Sequence, residues 1–385
     1  MNQFRASIVV LCYNGLEETT RPCLESIIAN TPGDSYELIV VDNASADGTA
    51  DYLKTFAAQH TNVRVQLNDT NKGYAAGNNN GIKLAQGQYI VLLNNDTLVP
   101  GGWLDRLLKL FDEQPGVALV GPVTNSAGNE QRIELEGLNE KNFEEIAAAY
   151  VERQKGVWFA TEKLGFFCVA MRRTLLEKIG CLDENFGLGM FEDDDYCLRA
   201  KKAGFSLAVV EDCFVYHKGS VSFKKLATED YIELFNKNRG YFFEKHRTLW
   251  AYTDIAVALW IKIRGDLAVV EKNGEKAAIE RIRGRIEGMT NALFQLREVE
   301  QRSAEIGGKA LFEVQLAEKQ RLLMEMSDWA TGLKQDNEQL TEKASAARKE
   351  LMAMSDRAVS MKCEMDEMSR SRCYRLFRFL QRRGI

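Results

Sequence analysis

Between residue 6 and about residue 125, short runs rich in β-branched residues alternate with segments of helical spacing. Alternation of this kind is typical of a mostly parallel sheet that helices cover on both faces. The predicted strands span residues 6–12, 37–41, 63–66, 89–93 and 117–120, and the predicted helices span residues 17–30, 49–60, 77–86 and 102–113. The pattern therefore predicts an α/β fold of the nucleotide-binding type.

The next part of the chain, residues 126 to about 245, is less regular. It begins with an acidic segment over residues 130–152, which is predicted to be irregular and mobile. A strand near residues 166–171, a helix over 173–179, a helix that follows an acidic cluster and ends at Ala203, and a strand over 206–210 come next. This block is predicted to receive a second substrate.

Length and composition limit the classes of protein that fit. A chain of 385 residues, 45% hydrophobic and 27% charged, can form one large domain with a full core and an additional region. The formal net charge of −5 gives no general affinity for nucleic acid, which is therefore not an expected partner. The eight cysteines form no CxxC pair and lie mostly in apolar runs, which favours reduced thiols in a reducing compartment.

Neither a secretory leader nor a membrane span is predicted. The N-terminal residues enter the first predicted strand directly, without the pattern of a signal peptide. The longest apolar stretch, residues 249–263, is interrupted by Asp254 and Lys262 and is too short to span a bilayer. We therefore expect a cytoplasmic protein, either soluble or peripheral on the inner face of the plasma membrane.

Strand signals end after Trp250, and a heptad pattern begins at Leu316. Apart from Lys319 and Asn337, Leu, Met and Ala occupy its a and d positions as far as Met368. The pattern predicts a helical linker over residues 249–310 and a coiled coil over residues 311–369 that joins copies of the chain into a homo-oligomer. The alternative is one long amphipathic helix packed on the first domain.

The last residues of the chain, 370–385, contain six arginines and no acidic residue. Arg375, Arg378 and Arg382 lie together on a helical wheel, opposite an apolar arc. This basic amphipathic tail is predicted to contact anionic lipid, and a disordered tail or a helix that docks on a protein partner is the alternative.

Two polar stretches carry the strongest indication of chemistry. Residues 192–195 are four consecutive carboxylates in an otherwise apolar context, where they repel one another unless a cation or a proton-transfer task requires them. The apolar run 89–93 ends in Asn94-Asn95-Asp96, the form expected where a buried strand delivers a metal ligand to the carboxyl edge of a sheet. The two stretches are predicted to belong to one site.

Five ordered motifs carry a resemblance to a known family. They are SIVVLCYN (7–14), VVDNASADGT (40–49), NKGYAAGNN (71–79), LLNND (92–96) and FEDDD (191–195). On these motifs, residues 7–248 resemble a family 2 glycosyltransferase of the GT-A fold, in particular the bacterial rhamnosyltransferase-like enzymes that build surface polysaccharides. The resemblance implies a catalytic domain over residues 1–248 and an inverting, metal-dependent transfer of a sugar from a dTDP- or UDP-sugar to a hydroxyl of a glycan or lipid-linked saccharide.

The resemblance also implies a nucleotide site. Asp42, at the carboxyl end of the second predicted strand, is expected to accept hydrogen bonds from the base or the ribose. Tyr13 and Asn14 are expected to form the opposite wall of the base pocket. The alternatives are a helix cap for Asp42 and ordinary turn positions for the other two.

The glycine-rich stretch 71–81 matches neither the Rossmann fingerprint nor a P-loop. In the family's terms it lines the donor site, where Gly73 and Gly77 permit close approach of the backbone. Lys72 is a candidate diphosphate contact, and Asn78 is expected to support the loop or the donor sugar.

Asn94-Asn95-Asp96 occupies the position of the family's DxD motif, with an amide in place of the first carboxylate. Asp96 is expected to hold a Mg²⁺ or Mn²⁺ ion that neutralises the leaving diphosphate. His217 matches the histidine that completes this site in related enzymes, and an imidazole ligand favours Mn²⁺. A lone histidine in a structural role is the alternative.

The acidic cluster is expected to supply the general base. By the family's ED motif, Asp193 is assigned this role, with Glu192 as an orienting neighbour and second choice. Crowding by like charges should raise carboxyl pKa values, which suits a base that works near neutral pH. Asp195 is predicted to pair with Arg199, one helical turn away.

Two other functions remain compatible with the sequence. A nucleotidyltransferase shares an α/β nucleotide fold and an acidic metal site, but its glycine- and arginine-rich loop is missing after the first predicted strand. A non-catalytic sugar-nucleotide-binding scaffold would instead use its coiled coil as the functional part. Trp158 and Phe159 are candidates for stacking on an acceptor sugar, or else core residues.

Overall fold

The computed structural model describes residues 4–33, 36–133, 135, 137–219 and 228–246. The chain divides into two units, Met1–Gly307 and Gly308–Ile385, and every described residue belongs to the first. The predicted helical linker, coiled coil and basic tail lie outside the described residues and stay predictions. Within those residues, no helix has the length and apolar character that crossing a membrane requires.

The centre of the described part is one mixed sheet. Its strands are β1 (Ala6–Cys12), β2 (Tyr36–Asp42), β3 (Val63–Leu67), β4 (Tyr89–Asn94), β6 (Val117–Val123), β7 (Trp158–Thr161), β8 (Cys168–Arg172) and β9 (Ser206–Phe214). They lie in the order β3-β2-β1-β4-β8-β6-β9-β7, and β8 and β7 run opposite to the other six. The predicted α/β fold with a mostly parallel sheet is therefore confirmed.

Helices cover both faces of this sheet. They are α1 (Arg21–Asn30), α2 (Thr49–Gln59), α3 (Gly73–Leu84), α4 (Trp103–Glu113), α5 (Phe143–Arg153), α6 (Arg173–Ile179), α7 (Glu192–Lys202) and α8 (Thr228–His246). Successive strand side chains point to opposite faces. Ile8 accordingly packs in a core with α1, α2 and α4, whereas Val9 packs in a second core with α3, α5, α6 and α7.

Several predicted site residues lie at the carboxyl edge of the sheet, where the strands end. β1, β2 and β4 are parallel neighbours, so Tyr13, Asp42 and Asp96 follow strand ends that lie side by side. Two short strands, β5 (Thr97–Leu98) and β10 (Tyr216–His217), pair antiparallel beyond this edge. Their register sets His217 opposite Thr97, directly after Asp96. The site is therefore assembled by strand order, not by sequence proximity.

The glycines of α3 have a packing role that the sequence interpretation missed. A Cβ atom at Gly77 would lie 2.5 Å from Cδ1 of Leu11, and one at Gly81 would collide with Val9. Both partners belong to β1, so these glycines let the helix approach the sheet closely. The close backbone approach predicted at Gly77 is therefore an approach to β1. A Cβ at Gly73 would instead collide with the backbone carbonyl of Gly187.

Several elements differ from the predicted pattern. Residues 130–152, predicted as an irregular segment, contain α5, whose Phe143, Ala147 and Val151 recur every fourth residue and are buried. α3 begins at Gly73, four residues earlier than predicted, and a single π-turn (Leu16–Thr20) precedes α1. The acidic cluster is itself the first turn of α7, whereas the sequence interpretation placed the helix after it.

Candidate active site

Asp96 and His217 meet at the edge of the small sheet. The backbone N–H of Lys218 donates to the carbonyl of Asp96 at 2.9 Å, which fixes the end of β10 beside the turn after β4. The two side chains are nearly buried, and Nε2 of His217 lies 3.3 Å from Oδ1 of Asp96. The strand pairing thus confirms that these two predicted residues are neighbours.

The orientation of the His217 ring is fixed from two sides. Its plane stacks on Phe167, with ring centroids 5.1 Å apart, and its Nδ1 lies 2.8 Å from the carbonyl of Ser126. A carbonyl only accepts, so Nδ1 is the protonated nitrogen and donates this hydrogen bond. Nε2 is therefore the nitrogen that faces Asp96, which is the arrangement of a metal-ligating imidazole with a carbonyl behind it.

Nε2 of His217 and Oδ1 of Asp96 are both buried, and neither makes a hydrogen bond of acceptable geometry within the described residues. Burial lowers the pKa of His217, but the facing carboxylate of Asp96 outweighs it, so the net shift of this pKa is upward. Two unsatisfied atoms that face each other fit a shared divalent cation. In the described part of the chain, no group of three or more His, Cys, Asp or Glu side chains is arranged to hold a metal ion, so a cation at this pair would need further oxygen ligands from outside the protein.

The acidic cluster lies at the amino end of α7, where the helix dipole favours negative charge. The residues that lead into it, Met190 and Phe191, both have a φ of 74°, a conformation that non-glycine residues rarely adopt. At the first turn, Oδ1 of Asp193 accepts from the backbone N–H of Asp194 at 2.9 Å. The local backbone therefore determines where each of the four carboxylates points.

The Asp193 and Glu192 carboxyls are held in surroundings that disfavour charge. Burial raises the pKa of Asp193 to about 6, the carboxylate of Asp194 adds to this rise, and Lys163 opposes it. Burial and Asp193 raise the pKa of Glu192 well above its usual value. Oε2 of Glu192 has no hydrogen-bond partner among the described residues. The predicted rise in carboxyl pKa therefore occurs, and burial is its main cause.

The other two carboxylates of the cluster are paired. Asp194 lies 2.6 Å from the ammonium of Lys163. Asp195, which is fully buried, accepts from Nε of Arg199 at 2.8 Å, as predicted, and also contacts Lys245 and His246 at 2.6 and 2.7 Å. Asp195 therefore has a structural role.

The loops that follow β1 and β2 are tied to each other. The backbone N–H of Asn14 donates to Oγ of Ser45 at 2.8 Å, and Oδ1 of Asn14 accepts from the N–H of Ala46 at 2.9 Å. The carboxylate of Asp42 accepts from the N–H of Ser45 at 3.3 Å, so it orders this turn without capping α2. Tyr13 leaves 45% of its surface exposed beside this turn. Tyr13, Asn14 and Asp42 therefore lie together where the connections after β1 and β2 meet.

Comparison with known proteins supports a family assignment for this part of the chain. Residues 7–180 match the sequence profile of the family described as Glycosyl transferase family 2. Over residues 7–180 the chain thus resembles a family 2 glycosyltransferase domain. Its α/β architecture is the one predicted from the motifs. Asp193 and His217 lie beyond the matched residues, so the evidence for them is the geometry alone.

Similar proteins include two that are named as glycosyltransferases. The chain is 26% identical over 213 residues to glycosyltransferase AglE of Haloferax volcanii, covering 55% of this chain and 66% of that protein. It is 35% identical over 126 residues to a poly(ribitol-phosphate) beta-glucosyltransferase of Bacillus spizizenii, covering 32% and 20%. The chain thus spans less than two thirds of the length of these relatives.

One of the similar solved structures is the mannosyltransferase PcManGT of Pyrobaculum calidifontis in complex with GDP-Man and Mn²⁺. It is 18% identical, with a TM-score of 0.43 over 85% of this chain and 83% of that one.

The remaining predicted site residues lie at the same edge. Lys72 is exposed just before α3, and its backbone N–H donates to Oδ1 of Asn43 at 3.1 Å. Asn78 is buried and donates back to the carbonyl of Tyr74 at 3.0 Å, so its amide supports α3. Asn94 ends β4, and Nδ2 of Asn95 donates to the hydroxyls of Thr19 and Thr20.

Tyr74 is a partly buried residue to which the sequence assigned no role, and carboxylates of both polar stretches act on it. Its hydroxyl donates to the carbonyl of Phe166 at 2.7 Å. Burial raises the pKa of Tyr74 well above its usual value, and the negative charges of Glu192, Asp193 and Asp96 add to the rise. Carboxylates of both stretches therefore act on the pKa of one phenol.

The role of Lys163, whose ammonium pairs with Asp194, was not predicted either, because a single lysine forms no recognisable sequence pattern. The strand predicted near residues 166–171 is β8, which begins at Cys168, so Phe166 and Phe167 are buried but precede the strand. Trp158 is partly exposed on the edge strand β7, beside the half-buried Phe159.

Proposed function

We propose that this chain is an inverting, metal-dependent glycosyltransferase that uses Asp193 as its general base. The observations that support this function best are the facing pair Asp96 and His217 and the raised pKa of the Glu192 and Asp193 carboxyls, with carboxylates of both stretches acting on the pKa of Tyr74. A cation site and a carboxylate with a raised pKa around one crevice are the two requirements of such a transfer. The donor is a dTDP- or UDP-sugar, and the acceptor is a hydroxyl of a glycan or lipid-linked saccharide.

In this proposal, the nucleoside lies between the loops after β1 and β2. Asp42 accepts hydrogen bonds from the base or the ribose, Tyr13 provides an apolar wall, and Lys72 faces the diphosphate with its exposed ammonium. Asp96 and His217 would hold a Mn²⁺ or Mg²⁺ ion. When bound, the ion supplies positive charge that stabilises the departing diphosphate.

The transfer itself needs one proton acceptor. The acceptor hydroxyl attacks the anomeric carbon, the new carbon–oxygen bond forms as the bond to the diphosphate breaks, and the hydroxyl proton passes to Asp193. Glu192, its neighbour in the first turn of α7, orients this carboxylate and is the second choice for the base. A pKa near 6 leaves Asp193 ionised at neutral pH and still basic enough to accept the proton.

A panel of nucleotide sugars tests donor and metal together. Each is added to the full chain with and without Mn²⁺, and the melting temperature is measured. A ligand present at 100 times its dissociation constant stabilises the folded protein by about 2.7 kcal/mol. We expect stabilisation by a UDP- or dTDP-sugar that depends on Mn²⁺ in the wild-type protein and is lost in Asp96→Asn. The surface variant Asp51→Asn serves as the control and should behave as the wild type does.

The same panel separates the proposal from its rivals. Release of a nucleoside diphosphate together with a glycosylated product supports the proposal. Binding without transfer or hydrolysis would indicate a scaffold, and release of inorganic pyrophosphate would indicate a nucleotidyltransferase. A melting temperature that no nucleotide changes would contradict the proposal as a whole.

For the complete chain, we propose the cytoplasm as the compartment. Homo-oligomers form through residues 311–369, and residues 370–385 contact the inner face of the plasma membrane or a protein partner.

A further inference from the structure

A side chain of the helix α8 is hydrogen-bonded to the loop that precedes the acidic cluster. Asn238 is 1% exposed, and its Nδ2 lies 2.8 Å from the carbonyl of Phe186, 2.7 Å from that of Gly189 and 3.1 Å from that of Met190. One amide group therefore donates its two hydrogens to three backbone carbonyls of a single loop. Buried polar groups are usually satisfied, but convergence on three carbonyls of one loop is specific.

This loop has an unfavourable backbone conformation. Gly187 and Gly189 have φ values of 65° and 145°, and Met190 and Phe191 both have 74°. Non-glycine residues in the left-handed region cost about 1 kcal/mol or more each, so the conformation persists only where the surroundings enforce it. The next two residues along the chain are Glu192 and Asp193. The path of the loop therefore sets the position of the proposed base.

A second set of contacts fixes α8 itself. Phe242 packs with Phe186 and Phe191 in one buried cluster, and the rings of Phe191 and Phe242 are 6.0 Å apart. One turn later, Lys245 and His246 contact the buried carboxylate of Asp195. α8 is thus fixed both to the loop and to the body of α7, so the amide of Asn238 has a rigid support.

The opposite side of the loop contacts α3, the helix that follows the proposed diphosphate contact Lys72. The backbone N–H of Tyr74 donates to the carbonyl of Leu188 at 3.3 Å. A Cβ at Gly73 would collide with the carbonyl of Gly187, so α3 and the loop are in tight contact there. The loop is consequently held between α3 on one side and α8 on the other.

We propose that Asn238 is a positioning residue for glycosyl transfer, which holds the loop 187–191 so that Asp193 faces the acceptor hydroxyl. This inference rests on the proposed function. Asn238 does not touch the reacting atoms, and it acts through the backbone carbonyls that it binds. Displacement of a catalytic group by about 1 Å can cost about 10²-fold in rate. Loss of the hydrogen bonds from Asn238 is therefore expected to lower turnover although the base is still present.

The test compares Asn238→Asp with the wild-type full chain. The substitution preserves side-chain size but replaces the amide donor with a carboxylate that faces three carbonyls. We expect kcat to fall between about 10-fold and 10²-fold, while KM for the donor stays within about twofold, because the donor half of the domain is unchanged. The matched control is Asn236→Ala, on the same helix, whose Oδ1 has no hydrogen-bond partner among the described residues. It should leave kcat unchanged.

The pH profile provides a readout that loss of folded protein alone would not move. Burial raises the pKa of Asp193 to about 6, and Asp194 and Lys163 act on it in opposite directions. The other titratable groups that face Asp193 are Glu192, Tyr74 and Cys197. If the loop loosens in Asn238→Asp, water reaches Asp193 and the acid limb of kcat/KM moves to lower pH.

The outcomes separate this inference from the proposed function. If the wild-type protein transfers sugar and folded Asn238→Asp matches it in kcat and in the position of the acid limb, Asn238 is not a positioning residue. If the wild-type protein transfers no sugar from any donor in the panel, the proposed function fails first. Should Asn238→Asp not fold, Asn238→Ser keeps one donor and is judged by the same two readouts.

Discussion

Asp193 and Asp195 lie two residues apart in the first turn of α7, yet their surroundings differ in nearly every respect. Asp195 is fully buried and contacts two cationic side chains, Arg199 and Lys245, together with the imidazole of His246. Asp193 is partly exposed and makes no ion pair with any described residue. Burial raises its pKa to about 6. The charge of Asp195 is therefore compensated by cationic neighbours, whereas the charge of Asp193 is not compensated by an ion pair with any described residue.

The difference shows how a run of identical charges is divided between two tasks. A compensated carboxylate stabilises the structure around it, but its basicity is not available to a substrate. An uncompensated carboxylate with a raised pKa costs stability and is available for proton transfer. His246 helps to stabilise the structure around Asp195. Burial lowers the pKa of His246, which favours the neutral ring, and Nε2–H donates to Asp195.

The largest expected effect concerns the compensated carboxylate. Asp195→Ala removes a fully buried carboxylate from Arg199, which is partly buried, and from Lys245, which is exposed and keeps Asp183 as a partner, so the expected loss is that of buried hydrogen bonds to a charged group, about 1–3 kcal/mol. The free energy of unfolding, measured by urea denaturation, should fall by that amount. Asp193→Ala is the matched control and should change it far less. Equal losses in the two variants would contradict the division of roles.

The uncompensated carboxylate should matter mainly for activity. Asp193→Asn retains the shape of the side chain but removes the base, so turnover should fall by about 10²-fold or more while nucleotide binding is preserved. Initial rates of sugar transfer and the Mn²⁺-dependent melting shift measure the two quantities. Unchanged turnover would exclude Asp193 as the base.

The pH dependence of activity should follow the pKa of Asp193. The base must be ionised, so kcat/KM of the wild-type protein should fall below about pH 6 and level off above it. The residual activity of Asp193→Asn should lack this acid limb. An acid limb of the wild-type profile near pH 4 would indicate a carboxylate in an ordinary, hydrated environment.

Stability should change in the opposite sense over the same range of pH. The pKa of Asp193 is raised in the folded state from 3.8 to about 6, so its ionisation destabilises the fold. This cost is absent below about pH 4 and fully present above about pH 6. Asp193→Asn should therefore gain stability relative to the wild type as the pH rises through this window. Denaturation at several pH values measures the gain, and no gain would contradict the raised pKa.

The smallest effect should come from Lys163. Its ammonium pairs with Asp194 and lowers the pKa of Asp193. Lys163→Met should raise that pKa and move the acid limb of kcat/KM to higher pH, whereas Lys163→Arg should move it little. A shift to lower pH in Lys163→Met would show that this ammonium does not act on the base.

Much of the candidate site could be predicted from the sequence, because strand ends and motifs are local features. Asp42 and Asp96 follow β-branched runs, and the parallel order of β1, β2 and β4 places such positions at one edge. His217 could be predicted only through the family resemblance. Tyr74, Lys163 and Asn238 could not be assigned roles, since their partners lie in other elements of the fold.

The glycines of α3 illustrate the limit of motif reasoning. A glycine in a site motif suggests close approach to a ligand, but Gly77 is close to Leu11 of β1. The sequence does not show that Gly77 of α3 lies against Leu11 of β1. The same holds for Gly73, whose contact is the carbonyl of Gly187.

The sequence by itself determined the alternation of strands and helices and the polar residues at the strand ends, because both depend on the local periodicity of the backbone. It also determined that residues 192–195 carry four adjacent charges. Only the tertiary structure decided which of them are neutralised. Burial and ion pairing depend on segments brought together by folding: Lys163 reaches Asp194, and α8 carries Lys245 and His246 to Asp195 while Asp193 stays uncompensated.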